Sequence, residues 1–325
     1  MTERKYDITA LGELLIDFTE NGVSQQGNVL LEANPGGAPC NVLAMLAKLG
    51  KKTAFIGKVG QDRFGSLLKE AIESVGIHAE GLIMDKEVHT TLAFVHTYPD
   101  GDRDFSFYRN PGADMMLKRE EVPCDIIMNS RIFHFGSLSF THAGVRAASV
   151  YAIQCAKEAG ALVSFDPNLR EPLWDDLKDA KEAIGYGMAC CDILKISDNE
   201  LIFMTGETDY DKGAFILQEK YDIPLVCVTL GKEGSRAYYK GMKITGKPFV
   251  QENTIETTGA GDTFTGCMLD MVLEKGLDCL TERDIRRMLL FANAGASLVT
   301  TKRGALKVMP DRKEIEELLE KIRNN

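Results

Sequence analysis

Gly259, Ala260 and Gly261 stand directly before Asp262, and an apolar run through Phe264, Cys267, Met268 and Leu269 follows. The small residues leave room for backbone N–H groups to reach a bound anion. The run after them predicts a helix that opens at this turn. A helix N-terminus has unpaired N–H groups and the positive end of its dipole facing the same way, which makes a cradle for phosphate. Asp262 then lies in the first helical turn, beside the anion. A carboxylate there repels phosphate, so it needs a task of its own. The simplest is to take the proton from a hydroxyl that attacks the phosphate. The helix dipole favours ionised Asp262, so a positioned proton acceptor is expected rather than a strong base. A Gly-Ala-Gly turn followed by an acidic cap has the same appearance where no such chemistry exists. The rest of the chain decides between the two.

The elements that must position these residues alternate along the chain. Short apolar runs at 8–11, 53–59, 132–135, 162–166, 193–196 and 225–230 read as strands. Helical periodicity marks 38–49, 64–74, 143–159, 176–188 and 210–220 between them. This alternation predicts an α/β fold, a doubly wound, mostly parallel sheet flanked by helices, spanning 1–325 as one domain. Pieces at 235–239 and 242–245 suggest antiparallel strands at one edge, and 261–274, 282–300 and 312–322 read as closing helices. Two stretches, 21–31 and 87–108, interrupt the pattern as strands. The second reads as a hairpin turned at Pro99-Asp100-Gly101-Asp102, with apolar faces from Phe94, Phe105, Phe107 and Tyr108. Together, insertions at about 17–33 and 86–110 predict a small β-sheet lid, useful where water competes with the intended phosphoryl acceptor.

Composition removes several classes. The chain has 325 residues, with 38 basic against 48 acidic side chains and a net charge of −10. No basic tract offsets that charge, which argues against a nucleic-acid partner. The eight cysteines form no CxxC pair and the five histidines do not cluster with them. Neither a zinc site nor a disulfide framework is expected, and Cys155, Cys227 and Cys267 read as reduced core residues. No apolar run approaches the ~20 residues of a membrane span, and no signal-peptide core is evident, so a cytoplasmic setting is expected. No GxGxxG follows the first strand, which excludes a dinucleotide oxidoreductase, and no Walker A motif can be placed.

A second glycine motif, Pro35-Gly36-Gly37-Ala38-Pro39-Cys40-Asn41, leads into a helix near the N-terminus. Joined to IETTGAGD, it strongly resembles the ribokinase-like (PfkB-type) carbohydrate kinases, from GELLIDF to the closing TTKRGA. Within that family FSFYRNPGADMML and FDPNLREPLW look most like fructokinases. The resemblance implies an ATP-dependent sugar kinase that makes fructose 6-phosphate. Ribokinase or 2-keto-3-deoxygluconate kinase activity is the alternative, and a non-catalytic structural or regulatory relative the third reading.

It also implies roles. Asp262 would be the base, and Gly259, Ala260 and Gly261 the anion hole. Asp17, Gly36, Gly37 and Asn41 would hold the sugar, with lid residues Phe107 and Arg109 closing over it. Asn168 and Arg170 of FDPNLR would lie at a strand's carboxyl end, Arg170 against developing phosphate charge. Lys195, Thr229, Gly231, Gly234 and Asn293 would border the nucleotide. Glu200 would bind Mg²⁺, directly or through water; Ser197 replaces the family's usual Asn before it. Glu256 stands where the family usually has Asp near a monovalent-cation loop, which leaves K⁺ activation open. The apolar lid implies a homodimer.

Overall fold

The computed structural model describes residues 4–97 and 103–323. The turn expected at Pro99–Asp102 and the side chain of Phe105 lie outside the described residues. The chain begins with β1 (Tyr6–Leu11), then forms a hairpin of β2 (Leu15–Val23) and β3 (Val29–Gly36). Next come α1 (Ala38–Lys48), β4 (Thr53–Gly60), α2 (Arg63–Ser74), β5 (Ile77–Asp85), β6 (Leu92–Thr97) and β7 (Arg103–Tyr108). The alternating half follows: α3 (Cys124–Met128), β8 (Ser130–Gly136), α4 (Ala143–Glu158), β9 (Leu162–Asp166), α5 (Leu177–Cys190), β10 (Ile193–Ser197), α6 (Asp198–Thr205), α7 (Tyr210–Tyr221) and β11 (Leu225–Thr229). Strands β12 (Ser235–Tyr239) and β13 (Met242–Gly246) precede α8 (Ala260–Lys275), α9 (Glu282–Val299) and α10 (Arg312–Arg323).

Among the described residues these strands form two sheets. The larger has the order β13-β12-β11-β10-β9-β8-β1-β4-β5, parallel except for its two antiparallel strands β12 and β13. The smaller, β3-β2-β6-β7, is the lid. Strands buried on both faces read as unbroken apolar runs, which is why β1 and β4 were legible. Along β4 the side chains alternate between two cores: Phe55 faces the cluster built with α1, α2, α8 and α9, while Ala54 and Ile56 face the one built with α3 to α7. On that second side Phe135 stacks on Phe165 with centroids 4.7 Å apart. Burying an aromatic side chain of this size contributes on the order of 2–3 kcal/mol.

Several expectations need correction. The 21–31 segment is not one strand: it holds the end of β2, the turn and the start of β3, strands that run outward to Leu15 and Gly36. Strand β5 and helices α3 and α6 were not foreseen, because each is short or patterned like its neighbours. Cys155 is not a reduced core thiol: it is disulfide-bonded to Cys124, Cα atoms 5.9 Å apart. Packing of α3 against α4 brings together two cysteines 31 residues apart in sequence, a proximity that no spacing motif announces. No helix among the described residues is long and apolar enough to cross a membrane.

Candidate active site

The sheet changes winding direction between the neighbours β1 and β8, and the carboxyl ends of their strands open there, where doubly wound folds bind ligands. A cavity of about 420 Å³ lies at this point, between the sheet ends and the lid. Two helix N-termini border it. At α8, Gly259 takes a left-handed φ of 77° and no side chain caps the helix. At α1, Gly37 has φ 131°, a conformation that side chains rarely adopt, and a Cβ there would lie 2.3 Å from the Glu13 carbonyl oxygen. The lid contributes Asp17, Thr19, Asn34, Val95 and Phe107 from one face. Its opposite face carries Phe18, stacked on Phe94 at 4.9 Å and set edge-on to Phe64 of α2 at 5.6 Å. The period-two alternation of β2 therefore sends Asp17 and Thr19 to the cavity and Phe18 to the packing that holds the lid.

Asp262 is buried in the first turn of α8, and Asn41 Nδ2 donates to its Oδ2 over 2.8 Å. Burial raises its pKa, against the pull of the Asn41 hydrogen bond and of Lys195 and Arg170. Desolvation thus outweighs the Asn41 hydrogen bond and the two cations, opposite in direction to the expectation for Asp262, and makes it a better proton acceptor. Asn41 itself, expected to hold the sugar, is committed through its amide N–H₂ to this carboxylate. Its Oδ1 is buried without a partner among the described residues.

Lys195, on β10, ends beside the anion cradle: a Cβ on Gly261 would sit 3.1 Å from its Nζ. Its ammonium pairs with Asp166 Oδ2 at 3.1 Å. Burial alone would lower the Lys195 pKa, but Asp166 and Glu200 more than offset it and hold the ammonium charged. Burial pushes Asp166 up to about 6 despite that partner. Burial likewise pushes Asp17 up to about 7, with Glu256 and Asp262 adding to the rise and Arg170 opposing it. Glu13, which accepts from the Ala38 N–H at 2.9 Å, is pushed to about 7 by burial as well.

Asp17, Gly36, Gly37, Asn41, Phe107, Asn168, Arg170, Lys195, Gly259, Gly261 and Asp262 all line the cavity. Ala260 lies between two lining residues. Arg109 does not line it. Its guanidinium is buried against Asp114 (2.7 Å), with further donation to Thr141 Oγ1 and the Leu138 carbonyl, so it ties the lid's root to the core. The expectation that Arg109 closes over the sugar is corrected by this pairing, which a buried charge requires. Glu200 also stands back: Oε1 accepts from the Leu169 N–H, and Oε2 accepts from the Ser197 N–H and hydroxyl. Ser197 acts as the cap of α6. Thr229, Gly231, Gly234 and Asn293 lie outside the cavity lining, Asn293 donating to the Lys247 carbonyl at 2.9 Å. Sequence reasoning missed Glu13, Thr19, Asn34, Leu138, Gly304 and Ala305. For Glu13 a signal existed, an acidic residue immediately after a fully apolar strand; for Leu138 none did.

A doubly wound sheet with an uncapped helix N-terminus, a buried carboxylate and a lid over the ligand crevice defines a small-molecule enzyme of the kinase kind. A family model described as pfkB family carbohydrate kinase matches residues 5–312, and the chain belongs to that family. The tomato (Solanum lycopersicum) protein fructokinase-2 is 41% identical over 315 residues, covering 96% of this chain and 95% of that protein. The crystal structure of a fructokinase with bound ATP from Xylella fastidiosa superposes with a TM-score of 0.89 at 28% identity, over 98% of this chain and 99% of that one. A fructokinase double mutant from Vibrio cholerae O395, in a form with fructose, ADP and potassium, superposes with a TM-score of 0.87 at 27% identity, over 98% and 100%.

Proposed function

We propose that the chain is an ATP-dependent fructokinase producing fructose 6-phosphate. The observation that carries this reading is the buried, Asn41-bonded Asp262 at the open N-terminus of α8, beside Lys195. The choice of fructose rests on the similar fructokinases. Asp17 and Asn41 hold the sugar hydroxyls at the cavity wall, Asn41 also fixing Asp262 through its amide N–H₂. Asn168 and Phe107 bound the sugar on either side. As the sugar oxygen bonds to the γ-phosphorus, its proton passes to Asp262 and ADP departs with the electrons of the broken P–O bond. Backbone N–H groups of Gly259 and Gly261 and the Lys195 ammonium meet the transferred group's charge, the Ala260 N–H donating instead to the Thr257 carbonyl at 3.3 Å, and exposed Arg170 adds a second cation at the rim. Thr229, Gly231, Gly234 and Asn293 border the nucleotide.

Four carboxylates (Glu13, Asp17, Glu256, Asp262) and two cations (Arg170, Lys195) line the cavity, so a triphosphate enters a site already rich in negative charge. That imbalance suits a divalent cation, and Mg²⁺ would supply charge neutralisation on the phosphates. No cluster of three or more potential metal ligands exists among the described residues. Glu200 would therefore act through a metal-bound water, since both its oxygens already accept hydrogen bonds. Glu256 Oε2 accepts from the Gly304 N–H at 3.2 Å, which gives the extra methylene a fixed place at the loop where K⁺ would bind.

An ADP-release assay across fructose, ribose, glucose, mannose and 2-keto-3-deoxygluconate should show the highest kcat/KM with fructose. A clear preference for another sugar would overturn the substrate, and ATP binding without turnover would overturn catalysis. The outer lid exposes Val23, Val29, Leu30 and Leu31, and a second copy of the chain is the proposed cover. Sedimentation at micromolar concentration should then show a dimer, and a lone monomer would remove that reading.

A further inference from the structure

A second concavity of about 570 Å³ opens on the far side of the segment that walls the sugar cavity. It is lined by Arg119, Phe140, His142, Arg146, Val150 and Tyr151, together with small and neutral residues, and none of the lining residues is acidic. In a chain of net charge −10, two guanidiniums without a facing carboxylate form a local exception. Glu120, the nearest acid in sequence, lines an adjoining pocket that Arg119 and Tyr151 share, and not the groove itself.

The cations are arranged to receive a ligand. Arg119 stacks over the Tyr151 ring at 4.8 Å, which uses the guanidinium's face and leaves its edge N–H donors. Arg146 donates its Nε–H to the Phe140 carbonyl at 3.0 Å, one of five N–H donors. The 16-residue helix α4 begins at Ala143 in the same wall, adding the positive end of its dipole. Val150 and the edge of Tyr151 provide the apolar remainder, over Phe140, which is buried beneath them. Guanidinium pairs suit phosphate, the guanidinium plane of Arg119 with the Tyr151 edge and Val150 suits a ring, and the volume is that of a small-molecule pocket.

We propose that this groove is a second ligand site, for an organophosphate bearing a planar ring, of nucleoside monophosphate size. Its wall is shared with the sugar cavity. Leu138 lines that cavity, while Phe140 and Thr141, two and three residues on, line the groove. Arg109 bonds to both Thr141 Oγ1 and the Leu138 carbonyl and pairs with Asp114, whose other oxygen accepts from the Thr91 hydroxyl at the lid's root. A ligand in the groove therefore bears on the segment that carries one wall of the sugar cavity.

The test is calorimetric titration of the full chain with AMP, its catalytic cavity saturated with fructose and a non-hydrolysable ATP analogue. One equivalent of AMP should still bind. Arg119→Ala and Arg146→Ala, both at exposed positions, should each weaken it by about tenfold or more, the loss of one charged hydrogen-bonding partner. Turnover without AMP should be unchanged in both variants. Absence of AMP binding to the saturated protein, or equal binding by wild type and both variants, would overturn the site. AMP binding no tighter than inorganic phosphate would overturn the ligand class.

Discussion

Asp262→Asn is expected to fold normally and to lose at least ~100-fold in kcat, the low end for a positioned general base. The change is nearly isosteric, and the new amide oxygen can still accept from Asn41 Nδ2. Because burial raises the Asp262 pKa, the ionised carboxylate is disfavoured in the folded chain, and its removal relieves a cost. Thermal unfolding at neutral pH should therefore show a Tm equal to or above that of wild type. The same burial sets the pH dependence. A carboxyl group with a raised pKa takes up its proton at a higher pH than usual, so the base and Asp17 are both disabled on the acid side. With Asp17 at about 7, kcat/KM for fructose should fall as the pH drops below neutrality. A well-folded variant with near-normal turnover would sink the assignment of Asp262 as proton acceptor.

Lys195→Met should damage both stability and activity, for separable reasons. Asp166, buried with Asp262 and Glu200 among its electrostatic neighbours, would lose the one cation in contact with it among the described residues. Leaving one member of a buried pair uncompensated costs about 3–5 kcal/mol. Loss of a charged donor at the phosphoryl position should cost a further ~10²–10³ in kcat, the usual effect of removing one preorganised donor. Adding Asp166→Asn separates the effects. The double variant should regain most of the stability, measured by urea denaturation, and none of the turnover. Recovery of turnover in the double variant would reduce Lys195 to a structural counter-ion.

Much of this molecule was legible from local pattern. The parallel strands are continuous apolar runs because both faces are buried, and the helices between them carry 3.6-residue periodicity. The glycine turns before α1 and α8 are visible because glycine, without a Cβ, suits the positive φ at positions 37 and 259. The lid was recognisable as an interruption, and its 87–108 hairpin agrees with β6 and β7, but the 21–31 stretch caught only the turn-side ends of β2 and β3. The alternation of β2, which divides Asp17 from Phe18, was hidden by polar residues on both faces of its outer end.

What the chain's own order of residues determined, then, is the set of elements and the two helix starts at which an anion can be held. Propensity, periodicity and steric permission act over a few residues and can be read there. Tertiary structure alone decided the state of the side chains in the site. Asn41 meets Asp262 across 221 residues of sequence, Lys195 reaches Gly261 of α8 from strand β10, and Arg109 is taken by Asp114 and withdrawn from the sugar. Desolvation and hydrogen-bond partnership depend on everything packed within a few ångströms. That is why Asp262, which the helix dipole alone would make a weak base, becomes a stronger one once it is buried.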